Sequence, residues 1–219
     1  MSKYKVVLFD FDGTFVDSGT GILNSVEYAL EKHSIPLGDR SRLNYFIGPP
    51  LYVGFNHLYG VEGEECDSLV DAYRERYKEK GVFEFEIYDG IVELIEELKG
   101  SGIKVGVASA KPEVFIYQML EKTGYINLFD TISGTKLENH SSDKTITILN
   151  ALDRLEITDK NTCAMVGDRH YDITAAKKAG VTSVGVSYGY GTAEELLDAG
   201  AEYLAHDMNE LRKILLDNK

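Results

Sequence analysis

Cysteine is scarce in this chain: Cys66 and Cys163 are the only two among 219 residues, and their spacing is not that of a metal site. Cys163 lies inside an apolar segment, where a small buried hydrophobe is expected, and the usage fits a reducing cytoplasm. No apolar run is long enough to span a bilayer, so a membrane-crossing helix is excluded. The first residues carry two lysines, but the apolar stretch behind them is short and runs straight into aspartates; no secretory signal is expected there. Positive charge is in deficit, with 23 Lys and Arg against 36 Asp and Glu and a formal net charge of −13. That balance argues against a nucleic acid polymer as partner, because phosphate backbones are held by Lys and Arg. A small anionic substrate is compatible only where a metal or local cations reverse the field. Much of the acidic excess is expected on solvated helix surface, as around 62–65 and 93–99.

What the chain does have is an ordinary apolar content of 43% and enough length for one α/β core plus a smaller unit. Its most informative stretch is YKVVLFDFDGT at 4–14. Val6, Val7, Leu8 and Phe9 show no polar alternation, which predicts a strand covered on both faces, as in a parallel sheet. Asp10 and Asp12 then stand at the strand's carboxyl end, where open α/β sheets bind their ligands. Two carboxylates so close repel unless a cation or a shared proton relieves them. A surface turn, which aspartates favour, is the plain alternative.

Beyond this strand, 20–33 places Ile22, Val26, Ala29 and Leu30 on one helical face, with Ser18 or Thr20 as a cap. The segment 35–60 is interrupted by Pro36, Pro49 and Pro50 and reads as short helices and loops. Residues 64–80 are helical again, with Leu69, Val70, Tyr73 and Tyr77 on one side. From 85 onward strands and helices alternate: a helix from Asp89, a strand at 103–109, a helix from Pro112, a short strand near 129–133, and a helix opening at Asp143. A strand at 162–168, a helix over 171–179, a strand at 181–187 and a last short strand and helix follow. Such alternation predicts a doubly wound parallel sheet with right-handed crossovers. The expected organisation is an α/β core formed by 1–16 and 85–219, interrupted by an all-helical cap at 17–84.

Three further strand ends carry polar groups. Ser109 follows an apolar run and precedes a helix, so its hydroxyl and neighbouring amides suit a phosphate, or simply a helix cap. Lys144 opens a helix, the end of the dipole where a cation is unfavourable unless an anion faces it; a solvated surface lysine is the alternative. Asp168 ends a second buried run, and Asp172 lies one helical turn on, able to share its side or to cap the helix. Lys111 and Lys136 compete for the lysine role. Lys111 follows Ser109 too closely and Lys136 lies in a loop, which leaves Lys144 preferred. His140 and His170 read as surface groups of flanking loops.

Taken in order, these groups resemble the four motifs of the haloacid dehalogenase-like hydrolase superfamily, over essentially the whole chain. Asp10-Phe11-Asp12-Gly13-Thr14 matches the first motif, Ser109 the second, Lys144 the third, and Asp168 with Asp172 the fourth. The helical insert resembles the family's C1-type cap, and the sheet its Rossmann-like core. The resemblance implies a phosphatase acting through an aspartyl phosphate. Asp10 is then the nucleophile, and Asp12 the acid–base. Ser109 and Lys144 hold the phosphoryl oxygens. Mg²⁺ is bound by Asp10, the carbonyl of Asp12 and Asp168, while Asp172 supports that shell or orients Lys144.

Asp12 also narrows the subclass, because the dehalogenases of the family lack an aspartate at that position. The cap loop at 46–51 and the tail at 186–196 look like the branch of phosphoglycolate phosphatases and 5′-nucleotidases. The expected partner is therefore a small phosphorylated metabolite in the cytoplasm. A sugar phosphomutase shares all four motifs and stays open. A phospho-acceptor signalling switch also combines an acidic pair with a hydroxyl and a lysine, but needs no helical insert. Arg40, Arg42 and His57 are the cap groups considered for a second anionic group of the substrate.

Overall fold

The computed structural model describes residues 3–137 and 143–216, so His140 lies outside the described residues. The chain runs through β1 (Val6–Phe9), β2 (Val16–Asp17), α1 (Gly19–Lys32), α2 (Leu51–Tyr59), α3 (Gly63–Glu79), β3 (Glu86–Ile87) and α4 (Ile91–Gly100). It continues with β4 (Lys104–Pro112), α5 (Glu113–Thr123), β5 (Thr131–Thr135), α6 (Lys144–Arg154), β6 (Cys163–Gly167), α7 (His170–Ala179) and β7 (Thr182–Val186). The last elements are α8 (Ala193–Asp198), β8 (Tyr203–Ala205) and α9 (Met208–Leu216).

Six strands form one parallel sheet in the order β5-β4-β1-β6-β7-β8. All of β1 is buried, and its side chains divide by the two-residue period of a strand. Val7 and Phe9 enter a core with Leu94, Ile95 and Leu98 of α4 and Leu211 of α9. Val6 and Leu8 enter a second with Ile148 and Leu152 of α6 and Ala175 and Ala176 of α7. Cover on both faces is the reason β1 lacks polar alternation. Chain order reverses at β1, which pairs with β4 on one side and β6 on the other. The carboxyl ends of these three strands therefore border the crevice where such sheets bind ligands.

The short antiparallel pair of β2 and β3, with Val16 opposite Ile87 and Asp17 opposite Glu86, frames the insertion that holds α1, α2 and α3. Helices α1 and α3 bury Ile22, Val26, Ala29 and Leu30 with Leu69, Val70, Tyr73 and Tyr77. Four local details differ from the sequence reading. Ser18 does not cap α1; its hydroxyl donates to Asp12 Oδ1 at 2.5 Å. The helix expected from Asp89 begins at Ile91, after Gly90 turns the chain at φ 80°. Strand β4 runs past Ser109 to Pro112. Helix α8 was not anticipated; it is a single short segment, capped where Thr192 Oγ1 accepts from Glu195 N at 3.1 Å. No helix among the described residues is long and apolar enough to cross a membrane.

Candidate active site

Asp10 follows β1 directly, its amide donating to the Val166 carbonyl of β6 at 2.8 Å, so the sheet ladder itself positions this residue. Its Oδ2 lies 2.6 Å from Lys144 Nζ, whereas its Oδ1 is buried without a hydrogen-bond partner. Lys144, the first residue of α6, is buried and not a solvated surface lysine. Its ammonium bridges Asp10 and Asp172 Oδ1. Asp172 Oδ2 accepts from the Arg169 amide at 3.0 Å, so this carboxylate caps α7 and also anchors the lysine. Asp168 follows β6 and does not cap that helix. Its Oδ1 accepts from Thr14 Oγ1 at 3.3 Å and its Oδ2 from the Tyr190 amide at 2.9 Å. Carboxylate oxygens of Asp10, Asp168 and Asp172 all lie within 4.8 Å of one another.

Three buried carboxylates facing one ammonium leave an excess of negative charge. Burial pushes the Asp10 carboxyl up to about 6, with Lys144 opposing and Asp172 adding to the rise. Burial raises Asp168 well above its usual range, and the charges of Asp172 and Asp10 push the same way. Burial works against the Lys144 ammonium, yet Asp10 and Asp172 together hold it above its ordinary value. An orphaned carboxylate oxygen amid all-oxygen donors fits a hard divalent cation. Gly13 makes the cluster possible, because at φ 81° it turns the chain, and a Cβ there would sit 2.2 Å from Asp168 Oδ2.

Asp12 stands beside this cluster, not in it. Its Oδ1 and Oδ2 lie 2.9 and 3.1 Å from Lys111 Nζ, which also donates to the Tyr77 hydroxyl at 2.5 Å. Lys111, expected to lie too close to Ser109 for a role in the site, is buried and paired with Asp12. Strand β4 continues past Ser109 to Pro112 with a register shift against β5 between Ala108 and Pro112, and Ser109 and Lys111 both border the same chamber. Ser109 does not cap α5, whose cap position is Pro112; its hydroxyl accepts from the Lys111 amide at 3.2 Å.

Asp10, Asp12, Ser109, Lys111 and Lys144 border one cavity of about 150 Å³ beneath the helical insertion. Arg40, Arg42 and His57 do not border it. Arg40 pairs with Glu27, and His57 stacks on Tyr45 at 4.5 Å between ring centroids. The cap cation on the cavity is Arg74 of α3, joined by Lys136 from the loop after β5. His170 turns away, its Nδ1 lying 2.6 Å from Glu195 Oε1.

Two contacts tie the insertion to the acidic cluster. Tyr190 donates its hydroxyl to Asp17 Oδ1 and accepts from the Gly19 amide at 2.7 Å, while its own amide holds Asp168. Arg169, whose amide holds Asp172, sends Nη1 to the Ile47 carbonyl at 2.7 Å and Nε to Glu195 at 3.0 Å. Arg169→Ala is expected to lower kcat/KM about tenfold through a loosened cap loop, with little change in melting temperature, as steady-state assays and thermal melts would show.

Fold and site together define a capped α/β enzyme whose acidic, lysine-bridged centre lies at the switch point of its sheet. The family described as haloacid dehalogenase-like hydrolase matches residues 7–186. The chain is similar to a 5′-nucleotidase of Pseudomonas aeruginosa, at 36% identity over 213 residues that cover 97% of this chain and 96% of the relative. It is also similar to a phosphoglycolate phosphatase of Colwellia psychrerythraea, at 27% identity with 96% of each chain covered. The crystal structure of a predicted phosphatase from Clostridium acetobutylicum superposes with a TM-score of 0.91 at 43% identity, covering 96% of this chain and 97% of that one. The chain belongs to the haloacid dehalogenase-like hydrolases, and among them to the phosphatases.

Proposed function

We propose that the protein hydrolyses small phosphate monoesters through a phosphoaspartate on Asp10, the class named by its phosphoglycolate phosphatase and 5′-nucleotidase relatives. The observation that carries the reading is the Asp10 carboxylate, one oxygen paired with Lys144 and the other buried and unpartnered at the sheet's switch point. A carboxylate oxygen of Asp10 attacks phosphorus, and the ester oxygen leaves with a proton from Asp12. Asp12 then takes a proton from water, whose oxygen attacks the phosphoaspartate and releases inorganic phosphate with Asp10 restored. Lys144 and Ser109 hold the phosphoryl oxygens and stabilise their charge in both steps. Asp10, the Asp12 carbonyl and Asp168 would hold Mg²⁺, which supplies Lewis-acid stabilisation of the phosphoryl group when bound. Asp172, already committed to Lys144 and the Arg169 amide, positions that lysine and supports the metal shell. In this reading 17–84 act as the lid over a catalytic unit formed by 1–16 and 85–219.

The test is phosphate release from p-nitrophenyl phosphate with Mg²⁺. Continuous release that stops with EDTA supports the proposal; one stoichiometric phosphorylation without turnover overturns it. Mg²⁺ should also relieve the repulsion among Asp10, Asp168 and Asp172. At a hundred times its dissociation constant it is expected to stabilise the fold by about 2.7 kcal/mol. Asp168→Asn should lose most of that gain, as thermal melts with and without Mg²⁺ would show.

A further inference from the structure

Two tyrosines of α3 stand one helical turn apart on the roof of the chamber, and both border it. The rings of Tyr73 and Tyr77 stack at 5.2 Å between centroids, 12° from parallel. Their hydroxyls differ in what they meet. Tyr77 accepts from Lys111 Nζ at 2.5 Å, and the same ammonium contacts both oxygens of Asp12. Tyr73 has no such tie. It is 7% exposed, yet among the described residues its hydroxyl has no hydrogen-bond partner.

The neighbouring polar groups of the cap are already committed. Tyr52 donates to Asp67 Oδ1 at 2.7 Å, and Arg74 Nη2 to the Leu137 carbonyl at 2.7 Å. Phe46, Val70 and Phe115, which share the lining, offer no polar side-chain atom. Burial holds the Tyr73 phenol well above its ordinary pKa, so it keeps its proton and stays a donor. A buried hydroxyl left unpaired is unfavourable, and a ligand atom that accepts from it removes that cost. Sites built in this way discriminate strongly against ligands that lack the matching atom.

We propose that Tyr73 is a specificity-determining residue whose hydroxyl donates to an oxygen on the second carbon of the leaving alcohol, next to the ester carbon. Tyr77 is tied through Lys111 to Asp12, the group that serves the ester oxygen, and Tyr73 lies one turn along the roof from it. The ligand chemistry is an accepting oxygen, supplied by a hydroxyl or by a carboxylate. Tyr73 thereby selects oxygenated esters over plain alkyl phosphates. This deepens the phosphatase reading above and rests on it.

The experiment measures kcat/KM with Mg²⁺ for two matched pairs of esters. Glycerol 3-phosphate is set against propyl phosphate, and 2-phosphoglycolate against ethyl phosphate, with p-nitrophenyl phosphate alongside. The oxygenated member of at least one pair is expected to lead by about tenfold, the scale of one neutral hydrogen bond. Which pair shows the lead separates a hydroxyl from a carboxylate. Tyr73→Phe keeps the stacked ring and removes only the hydroxyl, so that lead should fall to about twofold or less. A purely structural disturbance would lower both members of a pair together and leave their ratio unchanged. The variant should also melt no lower than the parent, because the deleted hydroxyl leaves no partner unpaired. No lead in either pair, a lead retained in Tyr73→Phe, or a markedly lower melting temperature each overturns the proposal. In those cases turnover of p-nitrophenyl phosphate by the parent leaves the phosphatase reading standing; no turnover of any ester removes both.

Discussion

Asp10→Asn is expected to abolish turnover, lowering kcat for p-nitrophenyl phosphate by about 10⁴-fold or more, the scale seen when a covalent nucleophile is removed. The amide is nearly isosteric, so the sheet contact from its backbone to Val166 is retained. The stability effect should run the other way. Burial pushes the Asp10 carboxyl up to about 6, which means that its charged form is disfavoured in the folded state. A neutral side chain removes one of three clustered carboxylates, while Asp172 still pairs with Lys144. The variant without metal should therefore melt at or above the temperature of the parent, and gain less from Mg²⁺. A large loss of activity with retained stability would separate a chemical role from a structural one. Appreciable residual activity would exclude Asp10 as the nucleophile.

Gly21→Ala is expected to be the most damaging single methyl outside the site. Gly21, in the first turn of α1, packs against the three-residue turn at Gly81–Phe83, and a Cβ there would lie 2.0 Å from the Gly81 carbonyl oxygen and 3.0 Å from that of Glu84. Both obstacles are backbone, so no rotamer change relieves them. Gly81 is constrained in return, since a Cβ on it would meet Ser25 Oγ at 2.6 Å. Forcing the elements apart would break the Gly21 amide's bond to the Glu84 carbonyl and open the junction of insertion and core. The expected destabilisation is about 3 kcal/mol, at the upper end of ordinary overpacking, readable as a shift in the urea midpoint. Gly100→Ala is a suitable control, because nothing lies within 4 Å of a Cβ at that position.

The two variants mark how far the sequence is legible. The apolar run into Asp10, the apolar periodicity of α1, α3 and α4, and the alternation of strands and helices from residue 85 all record local backbone state. Each follows from which faces of one element are buried, and neighbours a few residues apart report that directly. Element ends were less legible. Ser109 reads as the end of β4, whereas the strand continues through an irregular register to Pro112 and brings Lys111 to the chamber that Ser109 borders. Helix α8 was missed because six residues with one buried leucine show too little periodicity to register.

The motif spacing also made Asp10, Lys144, Asp168 and Asp172 legible as a set, because each follows a strand or lies in the first turn of a helix at an end that the sheet topology brings to one edge. Arg74, Tyr77, Arg169 and Tyr190 left no such trace. Their partners are Leu137, Lys111, Ile47 and Asp17, all of them distant in the chain. By itself the sequence determined the capped α/β architecture, the family and the four strand ends that carry polar groups, because these depend on local burial pattern and residue type. Only the tertiary structure decided which lysine meets which aspartate, which cap cation reaches the cavity and where a single methyl cannot fit. Those depend on the packing of segments tens of residues apart, at distances of a few ångströms that no local pattern encodes.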